Sequence, residues 1–330
     1  MRAPTSQIDL RSSLHSISQG GLPTRAKERL ADESTHKLFT SDLSVNEFLL
    51  TREIRAEVIS QVMGSSIYHI GKIPDYKGKT GEIRQISEAH RDSRRRALSR
   101  LFQEAQIVRA DAVIGVRLQE RLITVGSHGK GGDDGDEVIE FTVVGTAIRA
   151  PWIVHADNTP VITDLNGQDF WALAREGFEP CGFPFDFCRY HVWHVMGNGL
   201  WTPGGEITSA HDAIEKARIS VERSITAQAE KFGAEFVVGS DIKVTAKEVP
   251  CGFEKCELND LDVDVSWFGT AVRRIPDFKP PHQANVPPLV LGMMKLGKKK
   301  RGDFIEGEED ESKKLEELAK KMEESAGEGE

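Results

Sequence analysis

The 330-residue sequence predicts an α+β protein made of two repeated β-α-β-β units, each a three-stranded antiparallel sheet packed on one long helix and preceded by a short helix. Three observations lead there. Ala110-Asp111-Ala112-Val113-Ile114-Gly115 recurs as Ala234-Glu235-Phe236-Val237-Val238-Gly239. Val144-Gly145-Thr146-Ala147-Ile148-Arg149 recurs as Phe268-Gly269-Thr270-Ala271-Val272-Arg273, and Gly81-Glu82-Ile83 as Gly205-Glu206-Ile207, all displaced by 124 residues. Between these motifs the apolar positions follow helical spacing, and around them they alternate as in strands.

Each element follows in order. Ser41-Asp42-Leu43 resembles Thr163-Asp164-Leu165, and Glu47-Phe48 resembles Asp169-Phe170, so a short helix is expected over about 44–53 and again over 167–176. Ser41 and Thr163 are the expected caps, because a hydroxyl accepts a bond from a first-turn N–H. Residues 58–70 and 183–195 are rich in β-branched and aromatic side chains and read as strands, with Ile67-Tyr68-His69-Ile70 aligned on Val192-Trp193-His194-Val195. Ala97, Leu101, Ala105 and Val108 then mark the long helix, as Val221, Ile225, Ala229 and Phe232 do in the second copy. Residues 112–124 and 138–149, matched by 236–247 and 261–273, complete each unit as two strands. Alternation points Ile139, Phe141 and Val143, like Val263, Val265 and Trp267, at the helix. The opposite face is polar: Arg117, Gln119, Arg121, Glu140 and Thr142 in one copy, Asp241, Lys243, Asp262, Asp264 and Ser266 in the other.

This gives a polar N-terminal extension (1–40), repeat 1 (41–150), a connector with Pro151 and Pro160 (151–162), repeat 2 (163–275), a Pro-rich basic linker (276–302) and an acidic tail (303–330). Within the extension a helix is expected over 24–31. The tail holds 12 acids and four lysines, so nearly all of the net charge of −9 resides there and the body is close to neutral. That balance argues against a protein devoted to nucleic acid. The run Arg91, Arg94, Arg95, Arg96 and Arg100 reads as a solvated helix face. No apolar stretch reaches the ~18 residues of a spanning helix, and the start does not read as a secretory signal. A cytoplasmic location is expected. The apolar segment 289–296, followed by the basic residues 298–301, suits weak contact with a membrane surface, and the tail suits contact with a protein partner.

The chemistry-bearing residues are few. All four cysteines lie in the second half, at spacings that match neither a zinc finger nor a redox motif. Cys181, Cys188, His191 and His194 form the densest group of soft ligands, with Cys251 and Cys256 in a later hairpin; together they are the candidates for zinc or copper. The glycine-rich segment 126–135 joins two strands and lacks the helix start that a phosphate cradle needs. No nucleophile with its base and no P-loop emerges, so a non-enzymatic protein is expected. Three-stranded sheets leave open edges. The two copies are therefore expected to pack together and the chain to self-associate.

The motif pair Arg-Ala-Asp-Ala-Val-Ile-Gly-Val (109–116) and Glu-Phe-Thr-Val-Val-Gly-Thr-Ala-Ile (140–148), repeated with Gly-Ala-Glu-Phe-Val-Val-Gly (233–239) and Trp-Phe-Gly-Thr-Ala-Val (267–272), resembles the bacterial YbjQ-like family of heavy-metal-binding domains. The resemblance covers about two thirds of the chain. It implies a dodecin-like fold type and ring-shaped, often pentameric, assemblies, but no established reaction. By analogy to dodecins it also raises flavin or another small ligand, with Trp193 or Trp267 as stacking surfaces.

Overall fold

The computed structural model describes residues 7–35, 40–70, 78–125, 136–153, 159–193, 207–251, 259–276 and 278. Two helices, α1 (Gln7–Ser18) and α2 (Thr24–Thr35), precede the repeats. Only a shorter version of α2 was expected from the sequence; α1 has too weak an apolar stripe to announce itself. Repeat 1 then runs α3 (Val45–Glu53), β1 (Glu57–His69), β2 (Gly81–Glu82), α4 (Arg84–Ile107), β3 (Ala112–Val125) and β4 (Asp136–Arg149). After β5 (Val161–Ile162), repeat 2 runs α5 (Gly167–Arg175), β6 (Phe178–Gly182), β7 (Phe185–Val192), α6 (Thr208–Lys231), β8 (Phe236–Pro250) and β9 (Asn259–Arg274).

Each repeat contributes the expected three-stranded antiparallel sheet; sheet one gains a strand from the connector and sheet two gains one from repeat 1. Sheet one has the order β1-β4-β3-β5, with β5 parallel to β3. Sheet two is β2-β7-β9-β8, with β6 on the same side of β9 as β7. The connector is therefore structural at its end: residues 161–162 are a strand. The single strand expected over 183–195 differs too. It begins earlier, as β6, and is interrupted at Phe183-Pro184, because proline offers no N–H to the ladder.

Cores form where alternation placed them. Ile139, Phe141 and Val143 are fully buried beneath Ala97, Leu101 and Ala105 of α4. Val263 and Val265 likewise meet Ala213, Ala217, Val221 and Ile225 of α6. Gly64 lets α4 lie directly on β1, since a Cβ there would fall 2.0 Å from the Ala97 carbonyl oxygen. Both short helices appear as expected, but their caps lie closer to the first turn. Ser44 Oγ accepts from Glu47 N in a capping box, and Asn166 accepts from Gln168 N and Asp169 N. Ser41 and Thr163 instead accept from the N–H two residues on, turning the chain just before the cap.

Strand pairing corrects the alignment of the two copies. His69 faces Val138 and His191 faces Asp262, and those partners are themselves 124 residues apart. Tyr68-His69-Ile70 is thus equivalent to Tyr190-His191-Val192, and His194, which lies outside the described residues, is not the partner of His69. The offset is 122 residues up to this strand and 124 after it, the two-residue difference falling between strand and helix, where the sequence offers no anchor. A helix-to-strand clasp confirms the register. Glu104 Oε2 accepts from Met63 N at 2.9 Å, and Gln228 Oε1 accepts from Phe185 N at 3.3 Å, each from the same place on its helix.

Candidate functional site

The repeats meet along a seam built from the segment that enters α5. Gly115, at φ +61°, makes a bulge in β3 that turns its N–H outward. Gly115 N then donates to Leu165 O at 2.8 Å, and Val116 N to Thr163 O at 3.0 Å, extending the parallel β5 pairing. Beneath these bonds Ala112, Ile114 and Ile148 of repeat 1 share a core with Leu165 and Phe170 of repeat 2.

The other half of the seam lies where α4 reaches the free side of β7. Ser87 Oγ accepts from Arg189 N at 3.0 Å, and Arg91 Nε bonds Asp186 at 2.5 Å. His90 stacks on Phe187 at 3.8 Å between ring centroids, with its Nδ1 2.5 Å from Glu120 of β3. Arg94 is buried between the rings of Phe141 and Phe185. The expectation of a solvated basic run is thus wrong for Arg91 and Arg94: the face that looks free on one repeat is covered by the other. Burial alone pushes the Glu120 carboxyl up, but His90, Arg94 and Lys243 together hold it below its ordinary value.

Sheet two carries two more buried ion pairs beside this contact. Arg189 grips Asp264 with two bonds of 2.5 and 2.6 Å. His191 Nδ1 lies 2.7 Å from Asp262, and its Nε2 lies 3.3 Å from Asp260. Desolvation lowers the imidazole pKa, yet the bond to Asp262 and the charges of both carboxylates outweigh it and raise the value.

A cavity of about 360 Å³ opens at Gly115, lined among others by Asp42, Glu47, Arg117, Thr146, Asp164 and Asn166. Arg117 pairs with Asp42, and Thr270 Oγ1 donates to Asp164 at 2.5 Å. Burial pushes the Asp164 carboxyl up, against the lowering effect of Thr270. This hollow of carboxylates, one guanidinium and a hydroxyl contains no nucleophile set against a base.

The residues singled out as metal ligands do not converge. Cys181 sits on β6, beside the end of β9 that carries Ala271 and Val272; Cys251 follows Pro250 at the opposite end, ~40 Å away at the usual rise per strand residue. Cys188 faces the α6 core, and burial pushes its thiol up to about 12 and that of Cys181 up to about 11, so both are protonated thiols at neutral pH. His191 is committed to its aspartates on the other face. His194 and Cys256 lie outside the described residues. Among the described residues no group of three His, Cys, Asp or Glu side chains is placed to hold a metal ion. Trp267 packs against the α6 core, and Trp193 N donates to Thr80 at the end of β7. What the sequence did not reveal is the seam itself; its one legible sign was the repeat, which implies that what one copy offers the other can receive.

The YbjQ family profile, described as "Putative heavy-metal-binding", matches residues 52–151. An encapsulin nanocompartment protein of Mycobacterium tuberculosis is 34% identical over 230 residues, which are 65% of this chain and 80% of that protein. The chain belongs to the YbjQ family. UPF0145 proteins of Archaeoglobus fulgidus and Thermosipho melanesiensis are each 31% identical, over 112 and 98 residues, covering 32% and 28% of this chain and 93% and 81% of their own lengths. Those two are about one repeat long, whereas the mycobacterial match is too long for one YbjQ unit. No solved structure matches. Among the described residues the donors stand too far apart to fit the metal in the family's description. Among the described residues, no helix is long and apolar enough to cross a membrane.

Proposed function

We propose that this chain is a non-enzymatic assembly and binding module that associates with copies of itself and works as part of a protein nanocompartment. The observation that carries the reading is the state of the two outermost sheet edges. In the described residues neither β1 nor β8 has a partner on its outer side, and apolar side chains stand exposed on both: Met63 and Ile67 on β1; Phe236, Ile242 and Val244 on β8. A long open edge with apolar side chains is unstable in isolation and is normally covered. The similarity to an encapsulin nanocompartment protein supports placing the assembly in a shell-bounded setting.

Sedimentation velocity at micromolar concentration tests the first half: a discrete oligomer is expected, and a sharp monomer refutes it. Co-expression with an encapsulin shell protein tests the second half. The chain is expected to migrate with the shell through size exclusion, and consistent separation from it removes the nanocompartment role while leaving self-association intact.

A further inference from the structure

Every contact across the seam has a counterpart position at the free ends of the chain, reached by the 122- and 124-residue offsets. In the seam Val113 pairs with Ile162. The counterparts are Val237, on the open edge of β8, and Thr40, in the segment that enters α3. Ala112 is fully buried beneath that pairing, while its counterpart Phe236 is 39% exposed. On the other half, Arg189 of β7 is 8% exposed under α4, and its counterpart Ile67 of β1 is 74% exposed. Arg94 is buried; its counterpart Arg218 on α6 is exposed.

The side chains have changed together. Where the seam sets His90 of α4 against Glu120 of β3, the counterparts are Ile214 of α6 and Val244 of β8. A polar pair has become an apolar pair. Facing them, the seam has Phe185, Phe187 and Arg189, with Phe187 stacked on His90, and β1 has Met63, Ser65 and Ile67 in their places. On either side of Ser65 the two uncovered faces therefore set apolar Met63 and Ile67 against apolar Ile214 and Val244, and they match in backbone geometry. Gly239 repeats the bulge of Gly115, with φ +62° against +61°.

We infer that a second copy of this chain docks head to tail, its residues 40–43 and β1 seating on the β8 and α6 face of the first, so that the contact between chains reproduces the seam between repeats. This rests on the self-association proposed above and names its interface. Gly239 N and Ser240 N would donate to Leu43 O and Ser41 O of the second copy, as Gly115 N and Val116 N do to Leu165 O and Thr163 O within the chain. Because the two faces differ, the contact is heterologous: it closes a ring where the rotation between copies divides a full turn and otherwise extends an open filament.

Mixing two single-cysteine-addition variants, T40C and V237C, and oxidising after subunit exchange reads the interface directly. A disulfide-linked dimer is expected from the mixture and from neither variant alone. No mixed product, or T40C linking to itself as a two-fold contact demands, overturns the inference. Independently, I67E and V244E alter exposed side chains and are expected to lower particle mass with unchanged circular dichroism; undiminished mass overturns it equally. A monomeric wild-type chain defeats the self-association reading itself, whereas an oligomer that fails both tests defeats only this interface.

Discussion

Glu104 and Gln228 occupy one structural position, yet only the first is charged, and its neighbour explains why. Arg29 of α2 reaches Glu104 with bonds of 2.8 and 2.9 Å, and among the described residues nothing equivalent to α2 precedes repeat 2. The extension and the charge form a set. R29A is expected to cost ~1–3 kcal/mol, the usual penalty for stranding a buried acceptor. E104Q should rescue it, because glutamine makes the same clasp in repeat 2; equal losses in R29A and R29A/E104Q, read by denaturant unfolding, would disprove the coupling. His191 sets a pH limit. Its pKa is raised in the fold, so its contribution is complete below its ordinary value of 6.5 and is lost as pH rises through the native value. Glu120 has the opposite sign: held below 4.5, it stabilises above that pH and loses its effect as pH falls through the native value. Melting temperature should therefore decline on the alkaline side of pH 6.5, and H191Q should flatten that decline while leaving the acid limb in place. An alkaline slope unchanged in H191Q would show that other groups set it.

At the level of elements, the long helices are where sequence and structure agree most closely, because small residues at helical spacing announce both the helix and its close approach to a sheet. Gly64 is the other half of that approach. G64A would drive a Cβ into the backbone of α4 at Ala97 and Leu101, which cannot yield without lifting the helix, so a loss of ~1–3 kcal/mol is expected in thermal or chemical unfolding. G182A makes the control. Its obstruction is the Phe232 ring, which is partly exposed and free to swing aside, so a much smaller loss is expected; similar losses at both sites would contradict the backbone argument. The faces of the final strands were equally legible, since alternation fixes them once the helix side is known. What could not be read were features decided by the other repeat. The conversion of residues 161–162 into a strand, the burial of Arg94 and the engagement of Arg91 all arise from contacts between residues remote in sequence. The metal candidates among the described residues stand apart for a related reason. Cys181, Cys188 and His191 are near one another along the chain, but strand alternation and the extended rise separate near neighbours onto opposite faces and distant ends.

For the whole molecule, the repeat suggests two domains while the packing joins them into one cooperative body. Phe183 and Phe187 of repeat 2 belong to the core that α4 builds over sheet one, and Leu165 and Phe170 close the core around β3. Repeat 1 also lends β2 to sheet two, and the connector lends β5 to sheet one. Unfolding either repeat alone would expose both shared cores and release β2 or β5, so an intermediate with one repeat folded has no favourable surface left. A single calorimetric transition is expected for residues 1–279, with fluorescence and far-ultraviolet circular dichroism melting together. If the head-to-tail contact forms, association is linked to folding and the midpoint rises with protein concentration. Two resolved transitions would mean that the seam contributes little to the stability of either half. A contact too weak to couple two tethered repeats could then scarcely hold separate chains together, because tethering raises the effective concentration of the partners.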